Sequence, residues 1–255
     1  MDPLQLAIST AREAGALLLA RVDGPLETRQ KGARGDLVTA SDRASEELIV
    51  ARLRGAFPNS AILGEEEGVR PGTSDERWIV DPLDGTTNYA HGYPMYCVSI
   101  AYERAGEVLA GAIYAPAFDE MFAAEKGAGA TRNGAPMAVS HNATLNDALV
   151  CTGFVPARYE RNGENFARLS HLAQAVRRDG SAALDAAYVA CGRFEAFWEF
   201  DLKAWDVAAG GLIVREAGGT VTAIDGSAYA VDGGSFLATN GAIHDAMRDA
   251  LNREG

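Results

Sequence analysis

Two carboxylates packed close together at the end of an apolar run are the first sign of chemistry in this chain. Trp78, Ile79 and Val80 lead directly into Asp81-Pro82-Leu83-Asp84-Gly85-Thr86-Thr87-Asn88. The three apolar residues suit a buried strand ending at Asp81, which delivers that acid to an edge of a sheet. Pro82 holds Asp81 extended, and Asp84-Gly85 turns the chain. Thr86 or Thr87 then caps a helix whose free N–H groups face the same spot. Two acids beside an anion-attracting helix start call for a cation between them and an anion. Hard oxygen donors favour Mg²⁺ held together with substrate phosphate oxygens. Taken alone, the segment also fits an ordinary turn with Asp81 as a cap.

The elements that must position these acids follow from the apolar spacing. Asp2-Pro3 opens a helix with Leu4, Ala7, Ile8, Ala11, Ala14 and Leu18 on one face, ending at Asp23-Gly24-Pro25. Lys31 follows in a polar segment, where a solvated loop lysine and a contact to a metal shell are both open. Leu37 to Asp42 leads into a second helix with Ala44, Leu48, Ile49, Leu53 and Phe57 on its apolar side. Thr39 and Asp42 have capping-box spacing there, so local chemistry reads Asp42 as a cap. Ala61-Ile62-Leu63 is a short buried strand ended by Gly64-Glu65-Glu66-Glu67-Gly68. If it lies beside the strand ending at Asp81, Glu65 joins Asp81 at one edge and the pair can take a hard metal.

From Met95 to Ala138 the pattern becomes a meander of short strands with turns at Ala105-Gly106, Ala117-Phe118-Asp119 and Asn133-Gly134. Beyond about residue 140, strands and helices alternate: Val150, Glu164 to Val176, Ala182 to Phe197, and Trp205 to Ala217 closed by Gly218-Gly219. Strands over Thr220–Ile224 and Ser235–Thr239 and a terminal helix from about Ile243 to Leu251 complete the pattern. We therefore expect two sublobes with continuous cores: residues 1–140, carrying the main acid site, and 141–255, completing it.

Composition narrows the class. At 255 residues with 47% hydrophobic and 23% charged content, the chain can bury a large core. It has no apolar run of membrane-spanning length, and Arg12 and Glu13 make its start unlike a secretory signal. A net charge of -12 argues against nucleic acid or an anionic membrane as the main partner. It would also repel a phosphate ester, unless a bound divalent cation dominates the site. Cys97, Cys151 and Cys191 are far apart in apolar surroundings and read as buried thiols in a reducing cytoplasm.

Taken together, five segments resemble the inositol monophosphatase family over nearly the whole chain. They are Asp36-Leu37-Val38-Thr39-Ala40-Ser41-Asp42, Gly64-Glu65-Glu66, Asp81 to Asn88, Gly180-Ser181-Ala182-Ala183, and Ala204-Trp205-Asp206-Val207-Ala208-Ala209-Gly210 followed by Glu216-Ala217-Gly218-Gly219. The resemblance implies an α/β layered α-β-α-β-α sandwich and a Mg²⁺-dependent phosphomonoesterase, usually a homodimer and often inhibited by lithium. It also implies that Glu65, Asp81, Asp84, Asp206 and the Leu83 carbonyl ligate metal. Glu65 and Asp81 would share the first ion, and Asp81, Asp84 and Asp206 the second. Asp42 would pair with the Thr86 hydroxyl, with Glu65 helping to position the attacking water. Gly85 and Thr86 would offer backbone donors to phosphate. Gly180, Ser181, Ala182, Glu199 and Asp206 would hold polyol hydroxyls, and Lys31 matches a position near the metal shell.

These residue types suit phosphoryl transfer, which needs cations on the equatorial oxygens and an activated water more than a protein nucleophile. His91, His141, His171 and His244 fall outside the motifs and read as turn or surface residues. Local alternatives remain: Asp206 and Gly180-Ser181 as helix caps, and Glu199 as an acid on the exposed face of a strand. Departures from the family pattern are the third acid Glu67, the short link from Gly68 to Arg77, and Phe200-Asp201-Leu202-Lys203 on the leaving-group side. The leading expectation is hydrolysis of myo-inositol 1-phosphate or a similar polyol phosphate. Histidinol phosphate, fructose 1,6-bisphosphate or a 3'-phosphonucleotide would use the same metal site, with Lys203, Arg177 and Arg178 as candidates for a second phosphate. A partner-binding protein with incidental phosphatase activity is the reading from another class.

Overall fold

The computed structural model describes residues 1–22, 28–30, 37–154 and 159–253. Asp23, Gly24, Pro25, Lys31 and Asp36, on which sequence expectations rest, lie outside them. In chain order the first half comprises α1 (Pro3–Leu19), β1 (Thr28–Gln30), β2 (Leu37–Thr39), α2 (Ala40–Ala56), β3 (Ala61–Gly64), β4 (Gly68–Arg70), β5 (Glu76–Asp84), α3 (Thr86–Ala90), β6 (Cys97–Arg104), β7 (Glu107–Ala115), β8 (Glu120–Glu125), β9 (Gly129–Arg132) and β10 (Ala135–Met137). The second half comprises β11 (Leu149–Thr152), α4 (Tyr159–Leu172), β12 (Ala175–Arg177), α5 (Ala182–Ala190), β13 (Ala196–Leu202), α6 (Ala204–Glu216), β14 (Thr220–Thr222), β15 (Gly234–Thr239) and α7 (His244–Asn252).

Both N-terminal helices start where capping chemistry places them. Asp2 accepts the Leu4 N–H at 3.0 Å, with Pro3 at the first helical position. Thr39 and Asp42 form a reciprocal capping box at the head of α2.

β3 to β10 form an eight-stranded sheet in the order β10-β9-β8-β7-β6-β5-β3-β4, antiparallel except for the β3–β5 pair. Alternation along its strands fills two cores at once, because successive side chains point to opposite faces. On β5, Trp78 and Val80 pack with Ala7, Ala11 and Leu18 of α1 and Ile49 and Leu53 of α2. Ile79 faces the other way, into the core built by α5 and α6. A second sheet, β12-β11-β13-β15-β14, closes that core with Phe197 and Phe236. Its far face buries Trp198 and Leu237 under Leu169 of α4 and Met247 and Leu251 of α7. The layers therefore run helices, sheet, helices, sheet, helices, as the resemblance implies.

Three local expectations need correction. The strand carrying Asp81 does not end there: it continues through Pro82 to Asp84, with its pairing to β6 shifting between Asp81 and Asp84. Proline is tolerated at such an irregularity because no ladder N–H is demanded of it. Glu164 to Val176 is not one element, since α4 begins at Tyr159, ends at Leu172 and is followed by β12. His244 is buried at the start of α7 between the Thr239 and Thr222 hydroxyls, at 3.0 and 3.2 Å, and is not a surface residue.

Leu53 is fully buried between α2 and the large sheet. Leu53→Ala is expected to lower unfolding stability by about 3 kcal/mol, read by urea denaturation, while turnover per folded molecule is unchanged.

Candidate active site

The parallel register of β3 and β5 sets the first contact. Gly64 lies opposite Val80, so Glu65 and Asp81 leave the same edge side by side, as the sequence suggested. Asp81 is 2% exposed, and its Oδ1 accepts the Leu83 N–H at 3.0 Å. The Ser45 hydroxyl donates to the Pro82 carbonyl at 2.8 Å, which ties the turn to α2.

Gly85 makes the next step possible. Its φ is +91°, and a Cβ there would sit 2.7 Å from the Met95 carbonyl oxygen. Gly85 therefore occupies the N-cap position of α3, and neither threonine caps it as expected. The Thr86 hydroxyl instead donates to Asp42 Oδ1 and to the Leu83 carbonyl, both at 3.0 Å. Asp42 serves both readings given to it: Oδ2 takes the Thr39 N–H at 2.8 Å and the Thr39 hydroxyl at 2.6 Å, leaving Oδ1 for Thr86.

Asp84 reaches across to the second half of the chain. Its Oδ2 accepts the Ser181 hydroxyl and the Ala183 N–H, both at 2.7 Å, and the Cys97 thiol at 3.7 Å. Ser181 stands at the N-cap of α5 without capping it by its own side chain; Asp84 supplies that acceptor. Asn88 clamps the same junction, donating to the Met95 carbonyl at 2.6 Å and the Asp179 carbonyl at 2.7 Å. Asp206, in the first turn of α6, accepts the Lys203 N–H at 2.7 Å through Oδ2.

Glu199 departs most from the local expectation. It is 8% exposed on β13, so it does not sit on an open strand face. A Cβ at position 153 would lie 2.0 Å from its Oε2, which makes Gly153 the space that admits the carboxylate.

The electrostatics show that these acids share one small region. Burial, then Glu65, Asp84 and Asp206 in turn, raise Asp81 well above the usual carboxylate range. Burial and then Asp84 push Asp206 up to about 8, with Glu65 adding to the rise. Burial, then Asp206 and Asp84, raise Glu199 to about 8, against a smaller opposing effect of Arg178. Asp84 is raised by burial in spite of its hydrogen bonds. Among the described residues no ion pair reaches Asp81, Asp84 or Asp206. Carboxylates gathered in one region are hard oxygen donors of the kind that suits divalent ions.

Sequence reading missed a neighbouring group. Cys151, Asp179 and Asp185 bring one ligand atom each within 4.8 Å of one another, and one Asp185 oxygen is buried without a partner among the described residues. Burial and then Asp179 raise Asp185 well above the carboxylate range, with smaller contributions from Asp84 and Glu199. An acid inside the otherwise apolar Ala182–Ala190 run was the available signal. Cys97 and Cys151 are buried as expected, but against carboxylates and not in purely apolar surroundings.

A model of the inositol monophosphatase family matches residues 2–254. The chain belongs to the inositol monophosphatase family. It is 43% identical to an inositol-1-monophosphatase of Synechocystis, over 97% of this chain and 88% of that protein. It is 44% identical to a Pseudomonas aeruginosa protein named Nus factor SuhB, over 89% of this chain and 87% of that one. The solved inositol monophosphatase of Anabaena superposes with a TM-score of 0.88 at 44% identity, covering 97% of this chain and 94% of its own. A more distant structure, an IMPase/NADP phosphatase complexed with Mg²⁺ and phosphate, gives 0.87 at 27% identity, covering 98% and 95%. The protein is accordingly a phosphatase of a metal-dependent family.

The raised acids fix a pH dependence for the metal-free protein. Folded values near 8 for Asp206 and Glu199, above the ordinary carboxylate values, mean the folded state holds protons that the unfolded chain has released. Stability is therefore expected to fall as pH rises from about 4 to about 8. Adding Mg²⁺ at pH 7 should release protons into an unbuffered solution and restore stability, both effects being read by pH-stat titration and thermal unfolding.

Proposed function

We propose that this phosphatase hydrolyses inositol monophosphate, or a closely similar polyol phosphate, with Mg²⁺ as its metal. The observation that carries the reading is the convergence of Glu65, Asp81, Asp84 and Asp206 from β3, β5 and α6 beside the Gly85-Thr86 turn. In this reading Glu65, Asp81, Asp84, Asp206 and the Leu83 carbonyl would hold the ions. Bound divalent cations would neutralise phosphate oxygens, acidify a water and support the leaving oxygen.

The chain's own residues supply the rest. Thr86, whose hydroxyl donates to Asp42 at 3.0 Å, would take a proton from the attacking water while passing its own to Asp42. Burial raises the Asp42 carboxyl above its usual range, which makes it a better acceptor. The new bond forms between the water oxygen and phosphorus as the bond to the polyol oxygen breaks, and that oxygen takes a proton from solvent. Backbone N–H groups at Gly85 and Thr86 would orient the phosphate. Glu199, Asp206 and the Gly180-Ser181-Ala182 segment would meet the polyol hydroxyls. With Ser181 holding Asp84, that segment's part is first to fix the acid and only then to contact substrate.

The finer assignments follow the same resemblance: a homodimer inhibited by lithium, working in the cytoplasm, where its three thiols stay reduced. Lys31 would stand near the metal shell. The partner-binding reading is favoured by one observation, the name Nus factor carried by a 44% identical relative. Partner capture that survives Asp84→Asn would support it.

Asp84→Asn is expected to lower turnover on inositol 1-phosphate by about 100-fold or more with little change in unfolding temperature, because an anionic ligand becomes neutral at constant volume. Wild-type turnover in the variant would overturn the metal assignment. Glu199→Gln should change the ranking among inositol, histidinol, fructose and nucleotide phosphates more than it lowers the best rate, as measured by phosphate release.

A further inference from the structure

A cavity of about 740 Å³ lies between α6, the β6–β7 turn and the 229–232 loop, and none of the acids assigned to the phosphatase centre lines it. Its α6 wall is Ala208, Leu212, Arg215 and Glu216. At 100° per residue the first three lie roughly 180–240° around the helix from Asp206 and Glu216 about 280°, so the cavity faces largely away from that acid. The volume is that of a small-molecule site.

The lining has an apolar body and unspent hydrogen-bond donors. Leu212, Val108, Val231 and the Tyr229 ring give the body. Tyr229 packs close to α6 at Gly211: a Cβ there would come within 3.2 Å of its ring. The Tyr229 hydroxyl is buried and has no hydrogen-bond partner among the described residues, and the same holds for Arg77 Nε. Arg215 makes no ion pair among the described residues and stacks on the Tyr229 ring at 5.3 Å.

The acids of the lining are already engaged. Arg77 holds Glu103 at 2.6 Å and Asp232 at 2.9 Å, and Lys126 pairs with Glu107. Glu216 accepts the Gly127 and Gly129 N–H groups. What remains unsatisfied among the described residues is a pair of buried donors, Tyr229 Oη and Arg77 Nε, beside the exposed Arg215 guanidinium that stacks on Tyr229. Buried donors without acceptors are costly and are a mark of a missing ligand or water. A water would answer one of them, but not the apolar volume beside it.

We propose that this cavity is a binding site for a small anion with an aromatic body, such as an aromatic carboxylate, sulfonate or phosphate, separate from the phosphatase centre. The anionic group meets Arg215, Tyr229 Oη and Arg77 Nε, and the ring lies on Leu212 and Tyr229. The site is built into α6, so an occupant bears on the helix that carries Asp206.

The test titrates the full chain in Mg²⁺ with 8-anilinonaphthalene-1-sulfonate, following fluorescence, with and without saturating inositol 1-phosphate. We expect one saturable site per chain that inositol 1-phosphate does not displace. Arg215→Met should weaken it about tenfold, the size of one charge-assisted hydrogen bond. N-phenyl-1-naphthylamine, the same rings without the sulfonate, should also bind about tenfold more weakly. Leu212→Trp should fill the cavity and abolish binding while phosphatase activity is kept. Should that variant fail to fold, Tyr229→Phe, which removes only the hydroxyl, should still weaken binding several-fold. Unchanged binding in the Arg215 and Tyr229 variants, equal binding of the neutral dye, or displacement by inositol 1-phosphate would overturn the proposal. So would dye binding confined to dissociated monomers, which would give the cavity to a second copy of the chain.

Discussion

Mutual repulsion among the buried acids is the constraint the rest of the molecule answers to. Glu65, Asp84 and Asp206 all raise Asp81, so the fold must hold like charges together at a cost. It does so by tying one oxygen of each of four acids to a backbone N–H. Asp42 takes Thr39, Asp81 takes Leu83, Asp84 takes Ala183 and Asp206 takes Lys203. A carboxylate pinned by one oxygen has its rotamer restricted and keeps the other oxygen for a second partner, as Asp42 does for Thr86. That is a preorganised donor set, whose ordering is complete before any ligand arrives.

Three of the four pinning groups come from helix starts, the fourth, Leu83, from β5, and this explains much of the layering. α2, α5 and α6 all begin near the acids, where free N–H groups and the dipole favour negative charge. α5 and α6 lie between two sheets, packed against both by an almost wholly apolar core. Small residues along α6, from Ala208 to Gly211, let sheet and loop come close to it. The same closeness shapes the cavity on the far side of α6. A helix serving two surfaces at once cannot shift for one without moving the other.

The chain's net charge of -12 looks at first unsuited to a phosphate ester. Global charge sets long-range attraction and solubility, but screening confines its effect to about a nanometre in physiological salt. Within the site the deciding charges are local, and the concentrated carboxylates reverse sign in effect once cations sit among them. Acidity of the chain and affinity for phosphate are therefore compatible through the same residues.

Much of the architecture was legible in one dimension because it depends on local rules. Capping at Asp2 and Thr39, the apolar run into Asp81, and the meander turns at Ala105-Gly106 and Asn133-Gly134 all follow from near neighbours. So did the family, since motif order and spacing are properties of the sequence. What neighbours could not determine was where each polar atom's bond would go. Ser181 looked like a cap and spends its hydroxyl on Asp84, 97 positions away. Glu199 looked like an exposed strand acid and is buried because Gly153 makes room for it. Asp185 beside Cys151 and the unspent donors around Tyr229 arise from packing between separate layers. Periodicity tells which face of an element is buried; which group on another element it meets is decided only when the sheets and helices stack.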